Sequence, residues 1–326
     1  MNMKVPRRRL GTLALAALGM ALPWPSAAQP PDRITIVVPY PPGSAPDTLA
    51  RQLATKLAPR LGRSVIVDNR PGANAIIGSD YVSKAKNDGS TYLLVDRMTV
   101  VVNPLLFSKL PYEPSALVPV SDVARVNLLL SVRGDAPVKD WASFVAYAKS
   151  HPEAVAIGTG GPGSVHHLSL ELLSRAIGVR LTHVPYKGIA PAVQDVLAGQ
   201  LFGVISGPEV VLPHLEGGRL RPLVTGAKQR AAALPQVPTL AEQGVGEAVL
   251  LPTTFSVFAP PRTSAGVANP FGDAVRAVLS ESDTAVRLAP LGLEPAGATP
   301  QQMQAALAEQ GPQLTRVIRE AGIKLD

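Results

Sequence analysis

Two hydrophobic periods alternate along this chain. Ile34, Ile36, Val37 and Val38 form a β-branched apolar run that reads as a buried strand. A Pro/Gly turn, Pro41-Pro42-Gly43, then opens into a stretch where Leu49, Leu53, Leu57 and Leu61 recur every four residues, the stripe of an amphipathic helix. Ser44 and Asp47 stand three apart at this junction, the spacing of a capping box. The theme repeats. Strands are predicted over Ser64–Asp68, Thr91–Asp96, Val126–Val132, Ala154–Ile157 and Leu181–Val184. Helices are predicted over Trp141–Ser150, His166–Ile177 and Ala190–Leu197, with a loop over Arg97–Pro104. Strand–helix alternation of this kind predicts an α/β fold whose sheets are mostly parallel and covered by helices. No Ser/Gly-rich linker interrupts it, so two halves would be joined by crossing strands, with Leu128–Val132 and Phe255–Ala259 as candidates.

The N-terminus departs from this pattern. Lys4, Arg7, Arg8 and Arg9 precede an apolar run from Leu10 to Leu22, and Ser26-Ala27-Ala28 supplies small residues for cleavage. These are the three parts of a secretory signal peptide, placing the mature start near Gln29 and the protein in the periplasm. The apolar run is shorter than the roughly 20 residues that span a bilayer. Arg7-Arg8-Arg9-Leu10 is compatible with twin-arginine export as well as the general route.

The leader also changes the charge argument. The formal net charge is +7, and the four leader cations, unopposed there by any acid, leave +3 for the rest. That removes the case for a nucleic-acid partner. The chain has no cysteine, which excludes thiolate metal sites and cysteine nucleophiles. Aromatic residues make up 4% of the chain, too few for stacking platforms.

Two strand–turn–helix junctions carry the candidate chemistry. A helix N-terminus at the carboxyl end of a strand offers N–H groups and a positive dipole end to an anion. The first such junction is Tyr40–Asp47. The second, Gly158 to Ser164, matches G-x-G-x-x-G at Gly158, Gly160 and Gly163, but the ribose-binding acid expected about 20 residues later is missing. A nicotinamide site is therefore not expected, and neither is any other cofactor. Ser164 is followed at +2 by His166, not the glycine of a nucleophile elbow. His166 and His167 are adjacent, and so diverge on a helix, which is poor geometry for a metal. No catalytic constellation emerges. Two anion seats from different parts of the chain suggest a cleft between two lobes.

At this level of detail the chain resembles the Bug family of extracytoplasmic solute receptors, associated with tripartite tricarboxylate transporters. The resemblance rests on Val38-Pro39-Tyr40-Pro41-Pro42-Gly43 with Asp47 and Ala50-Arg51; on Asn69-Arg70-Pro71-Gly72-Ala73 with Gly78; and on Asp88-Gly89. It continues in Gly160-Gly161-x-Gly163-Ser164 with His167-Leu168 and Glu171-Leu172, in His183-Val184-Pro185-Tyr186-Lys187-Gly188, in Pro235-x-Val237-Pro238-Thr239-Leu240, and in Ala321-Gly322-Ile323-Lys324-Leu325-Asp326.

The resemblance implies a two-lobed, Venus-flytrap binding protein of type II-like architecture, with a mixed, mostly parallel sheet in each lobe. Residues 29–130 and 255–326 would form lobe 1 and residues 131–254 lobe 2. It implies a monomer holding a small carboxylate through backbone groups and bridging waters. On this sequence the binding loops are Tyr40, Pro42, Gly43, Ser44, Ala45 and Asp47 from one lobe, and Thr159, Gly160, Gly163 and Ser164 with His167 from the other. Gly188 and Asp195 would lie behind the second loop, and Arg97, Thr99 and Glu209 would line the cleft. Several positions depart from the family pattern: Ser44 and Asn74 replace glycines, Pro46 removes a donor, Arg97 replaces a small polar residue, and Ser206 replaces an aspartate. Arg97 is expected to pair with a second ligand carboxylate, and Ser206 to weaken recognition of an amino group. The implied partners are membrane permease subunits of a tripartite transporter or, alternatively, a membrane sensor kinase.

Overall fold

The computed structural model describes residues 32–231, 233–246 and 249–325, together with Met1. The leader expected over 1–28 and its cleavage site lie, Met1 aside, outside the described residues.

Strands and helices alternate in the order the hydrophobic pattern implies. β1 (Arg33–Val38), α1 (Ala45–Leu61), β2 (Ser64–Asn69), α2 (Ile76–Ser83), β3 (Thr91–Asp96), α3 (Thr99–Leu106) and β4 (Val118–Val126) come first. β5 (Leu129–Arg133), α4 (Trp141–Ser150), β6 (Ala156–Thr159), α5 (Val165–Ile177), β7 (Thr182–Pro185), α6 (Ile189–Leu197), β8 (Gly203–Ser206) and β9 (Leu220–Thr225) follow. β10 (Thr253–Ala259), α7 (Ala265–Leu279), α8 (Ser282–Leu288), β11 (Leu293–Pro295) and α9 (Pro300–Ala321) come last. They build two sheets, β11-β4-β10-β3-β1-β2 and β7-β6-β8-β5-β9. The result is a two-lobed α/β fold.

Burial explains the pattern of β1. Ile34, Ile36 and Val38 pack with Leu49, Leu53 and Leu57 of α1, while Val37 lies on the other face of the sheet with Leu93, Val95 and Phe258 beside it and Val82 and Met303 in the same cluster. A strand covered on both faces reads as a near-continuous apolar run, as Ile36–Val38 does. Each fully buried Leu or Ile contributes roughly 1.5–3 kcal/mol. α7 shares the first face with α1, and Phe271 stacks on Tyr92 at a centroid distance of 3.9 Å.

Four expectations are corrected. The sheets are mixed, but only two pairings in each are parallel; β4, β10 and β11 in the first sheet and β5 and β9 in the second pair antiparallel. β4, β5, β9 and β10 flank the two passages between the sheets, and β11 reaches the edge of the first sheet after α7 and α8. The stretch Val126–Val132 is not one strand: the chain leaves the first sheet after Val126 and enters the second at Leu129, so the changeover lies at 127–128 and not at 130/131. β10 belongs wholly to the first sheet from Thr253, so the return precedes 254/255, and neither candidate strand crosses. Finally, the predicted loop over Arg97–Pro104 is largely α3.

Candidate functional site: two switch points facing one region

Both sheets reverse their winding at one place. β1 pairs in parallel with β2 on one side and β3 on the other, and β6 pairs in parallel with β7 and β8 in the same way. In open α/β sheets the crevice outside the carboxyl ends at such a switch point is where ligands bind. The elements leaving the two switch points meet: Leu106 of α3 and Leu168 of α5 share a buried cluster with Leu314, Val317 and Ile318 of α9. The first lobe's α3 and the β6–α5 loop are therefore brought together, with Gly163 against Leu106.

The first loop is tightly self-bonded. Gly43, at φ +81°, donates its N–H to Asp47 Oδ2 at 2.8 Å. Asp47 is 2% exposed and also accepts from Arg51 Nε and Asn69 Nδ2. Burial alone would raise its carboxyl, but hydrogen bonds from Arg51, Gly43 and Asn69 hold it below its ordinary value. The capping box takes a different form from the one expected. Ser44 occupies the N-cap, yet its hydroxyl donates to Pro41 O, and Asp47 serves the residue before the cap. With no N–H on Pro46, the first-turn donors of α1 that lack an intrahelical partner are those of Ala45 and Asp47.

Tyr40 turns inward. Its ring lies edge-on to Phe255 at 6.0 Å, and its oxygen accepts the Asp96 N–H at 3.1 Å. Thr99 bonds the same phenol, whose acidity is pushed far down by burial and then by the Asp96 charge. Asp96, which nothing in the sequence singled out, accepts from Met98 N–H at the start of α3. Burial pushes its carboxyl up to about 6.

Arg97 does not do what its sequence position suggested. Its Nη1 lies 2.5 Å from Asp122 Oδ2, with both side chains 4% exposed. Asp122 Oδ1 accepts from Ser256, and Gln310 Oε1 lies 3.5 Å from Arg97 Nη2. A carboxylate buried on β4 requires a counter-charge, and Arg97 supplies it across β10. The pair with Asp122 holds Nη1 inside the first lobe in place of the expected second ligand carboxylate, while Nε is buried with no partner among the described residues.

The second loop also satisfies many of its own groups. Ser164 caps α5: its hydroxyl accepts from His167 N–H and donates to Gly161 O. His167 Nδ1 accepts the Gly163 N–H at 3.0 Å, which puts the ring proton on Nε2, 3.7 Å from Glu171. The His167 ring stacks on His183 at 3.8 Å, and His183 Nε2 meets the Thr159 hydroxyl at 2.7 Å. Gly160 lies under the His166 ring, where a Cβ would approach Nδ1 to 3.1 Å. Burial pulls His166 and His183 down to about 4, so both are neutral at pH 7. The α5 donors without intrahelical partners are Val165 and His166 N–H, neither of them expected from the sequence as a binding group. Gly163, at φ +71°, packs against the first lobe: a Cβ there would lie 2.2 Å from Leu106 Cδ1 and 3.1 Å from Leu325 Cδ1.

Behind this loop, Gly188 is the N-cap of α6 at φ +106°, and Asp195 accepts the Tyr186 hydroxyl. Ser206 ends β8, fully buried, and Glu209 lies in the short 3-10 turn that follows. Among the described residues, no group of three or more His, Cys, Asp or Glu could hold a metal, and no helix is long and apolar enough to cross a membrane.

Ser164, the residue weighed as a nucleophile, donates its hydroxyl to a backbone carbonyl and not to a base. The model of the tripartite tricarboxylate transporter family receptor matches residues 49–323. The chain belongs to that receptor family. Protein BugT of Bordetella pertussis is 34% identical over 313 residues, covering 95% of this chain and 96% of BugT, so the receptor is also a Bug protein. The solved structure of R. palustris Rpa4515 with adipate superposes with a TM-score of 0.82 at 34% identity, over 90% of this chain and 98% of that one. MatC from Rhodopseudomonas palustris with bound malate gives 0.77 at 30% identity, over 88% and 98%. The family is one of periplasmic solute-binding proteins, which are not enzymes.

Proposed function

We propose that this receptor captures a small carboxylate in the periplasm and delivers it to the membrane permease subunits of a tripartite transporter. The observation that carries the reading is the pair of helix starts, α1 and α5, each at a sheet's switch point with two first-turn N–H groups that have no intrahelical partner. Two relatives solved with ligands hold adipate and malate, both carboxylates. One carboxylate then sits between Ala45 and Asp47 N–H on one side and Val165 and His166 N–H on the other. Gly43, Gly163 and the side chains of Asp47, Ser164 and His167 shape the two loops instead of touching the ligand. The leader, cleaved after Ala28, delivers the protein to the periplasm, and N-terminal sequencing of exported protein checks the cut.

The test is a thermal-shift screen of the purified protein against mono-, di- and tricarboxylates. A ligand at 100 times its Kd stabilises the native state by about 2.7 kcal/mol. A rise in Tm with at least one carboxylate, and none with matched neutral amides, is the expected result. A flat screen overturns the reading.

A further inference from the structure

The carboxyl end of β8 holds polar groups that the fold leaves unsatisfied. β8 pairs in parallel with β6, Gly158 opposite Val204, so Gly160 is level with Ser206. Adjacent strands lie about 4.8 Å apart. Ser206 and the turn after it therefore border the second carboxylate-binding loop directly. Ser206 Oγ and Glu209 Oε2 are both buried and have no hydrogen-bond partner among the described residues. The Glu209 carboxyl folds back over Gly207, where a Cβ would lie 2.0 Å from Oε2 and 2.7 Å from Cδ. The turn is held from the other lobe as well, since Pro208 packs on Gly292, where a Cβ would come within 2.1 Å.

We infer that Glu209, with Ser206 beside it, receives an ammonium group carried by the ligand, so that the favoured carboxylates are amino acids. The inference rests on the carboxylate-receptor reading. The Glu209 carboxyl keeps only its own backbone N–H, and its Oε2 is buried with no partner among the described residues, a desolvation cost that persists where something else satisfies the oxygen. Burial raises Glu209 to about 7, and its own backbone N–H is the only influence against that. A cation brought by the ligand supplies the missing counter-charge, and Ser206 Oγ accepts one of its protons. The side chain that would have favoured a second carboxylate, Arg97, is already paired with Asp122. A dicarboxylate would put like charge beside Glu209.

The experiment measures affinities of the purified protein by calorimetry for matched pairs: alanine and propionate, aspartate and succinate, 4-aminobutyrate and butyrate, with malate and adipate alongside. The expected result is at least tenfold tighter binding of the amino member in at least one pair. Glu209→Gln removes that preference and Ser206→Ala weakens it severalfold. The inference is overturned if the deaminated acids, malate or adipate bind as tightly as the amino acids, or if the preference survives in Glu209→Gln. Should Glu209→Gln fail to fold by circular dichroism, the parent protein's preferences decide alone. Carboxylate binding without amino preference overturns only this inference. Absence of binding to any carboxylate, in these pairs and in the wider screen, overturns the receptor reading with it.

Discussion

The two switch points are built on one topology and furnished in opposite ways. At β1/β3 the acids are saturated: Asp47 takes Gly43, Arg51 and Asn69, Asp96 takes Met98, and Asp122 takes Arg97 and Ser256. At β6/β8 stacked histidines brace the loop, and Ser206 Oγ and Glu209 Oε2 have no partner among the described residues. In lobe 1 the acids are bonded, leaving Arg97 Nε as the unpartnered atom of its ion pair. On the proposed reading lobe 1 grips the carboxylate and lobe 2, with Ser206 Oγ and Glu209 Oε2 in reserve, reads the rest of the ligand.

The largest effect should come from unbalancing the saturated side. Asp122→Ala leaves Arg97 buried without its counter-charge, and losing one partner of a buried pair costs about 3–5 kcal/mol. Chemical denaturation should show that loss in the midpoint. The apolar double replacement Arg97→Met with Asp122→Leu should recover most of it, because well-packed apolar residues replace buried ion pairs at little cost. If Asp122→Ala is neutral, lobe 1 is not the saturated scaffold described.

Gly163→Val tests where the two sides meet. The new side chain takes a positive φ and drives into Leu106 and Leu325, so it holds the β6–α5 loop away from α3. We expect ligand binding to be lost, with stability lowered by roughly 1–3 kcal/mol. Small-angle scattering should show ligand-induced compaction in the parent and none in the variant. A variant that still binds and compacts would separate the loop from closure.

Acidity separates the two sides by sign. Asp96 is raised to about 6 in the folded protein, above the ordinary carboxylate value near 3.9, so the folded state holds its proton more tightly. It adds stability as pH falls from about 6 to about 4. Asp96→Asn should therefore gain on the parent above pH 6 and lose that advantage near pH 4. His166 and His183 are lowered to about 4 from an ordinary value near 6.5, so the unfolded chain binds those protons more readily. They remove stability over nearly the same window, and His183→Gln should flatten that loss. Melting curves from pH 4 to 8 read both, and parallel profiles for the two variants would erase the contrast.

How much of this was legible in the sequence follows the same division. The α1 stripe, the β1 run and the two glycine turns announce themselves because burial period and turn chemistry are local. The division of Val126–Val132 between two sheets did not, since an apolar run does not say which sheet it joins. α3 was hidden by the β-branched residues Thr99–Val102 and by Pro104, which argue against helix locally and are overruled by packing against α9. Arg97 misled for a related reason: its partner Asp122 is distant in sequence and joined to it only through β10. Val165 and His166 escaped because a backbone donor leaves no mark in the side chains. The placement of α5 after β6 was their only signal.

The smallest effect expected is Ser164→Ala. The serine hydroxyl caps α5 by accepting from His167 N–H and fixes the turn through Gly161 O. Removing an N-cap hydroxyl costs typically about 1 kcal/mol. Because His167 keeps its bond to Gly163 and the Val165 and His166 N–H groups do not depend on the hydroxyl, carboxylate affinity should fall no more than a few-fold. The amino-over-deaminated preference should not move at all, since Ser164 stands at the carboxylate end and Glu209 at the other. Calorimetry on the same matched pairs checks it: a changed preference in Ser164→Ala would mean that the loop and the β8 turn read the ligand together, and the division between gripping and reading within lobe 2 would have to be given up.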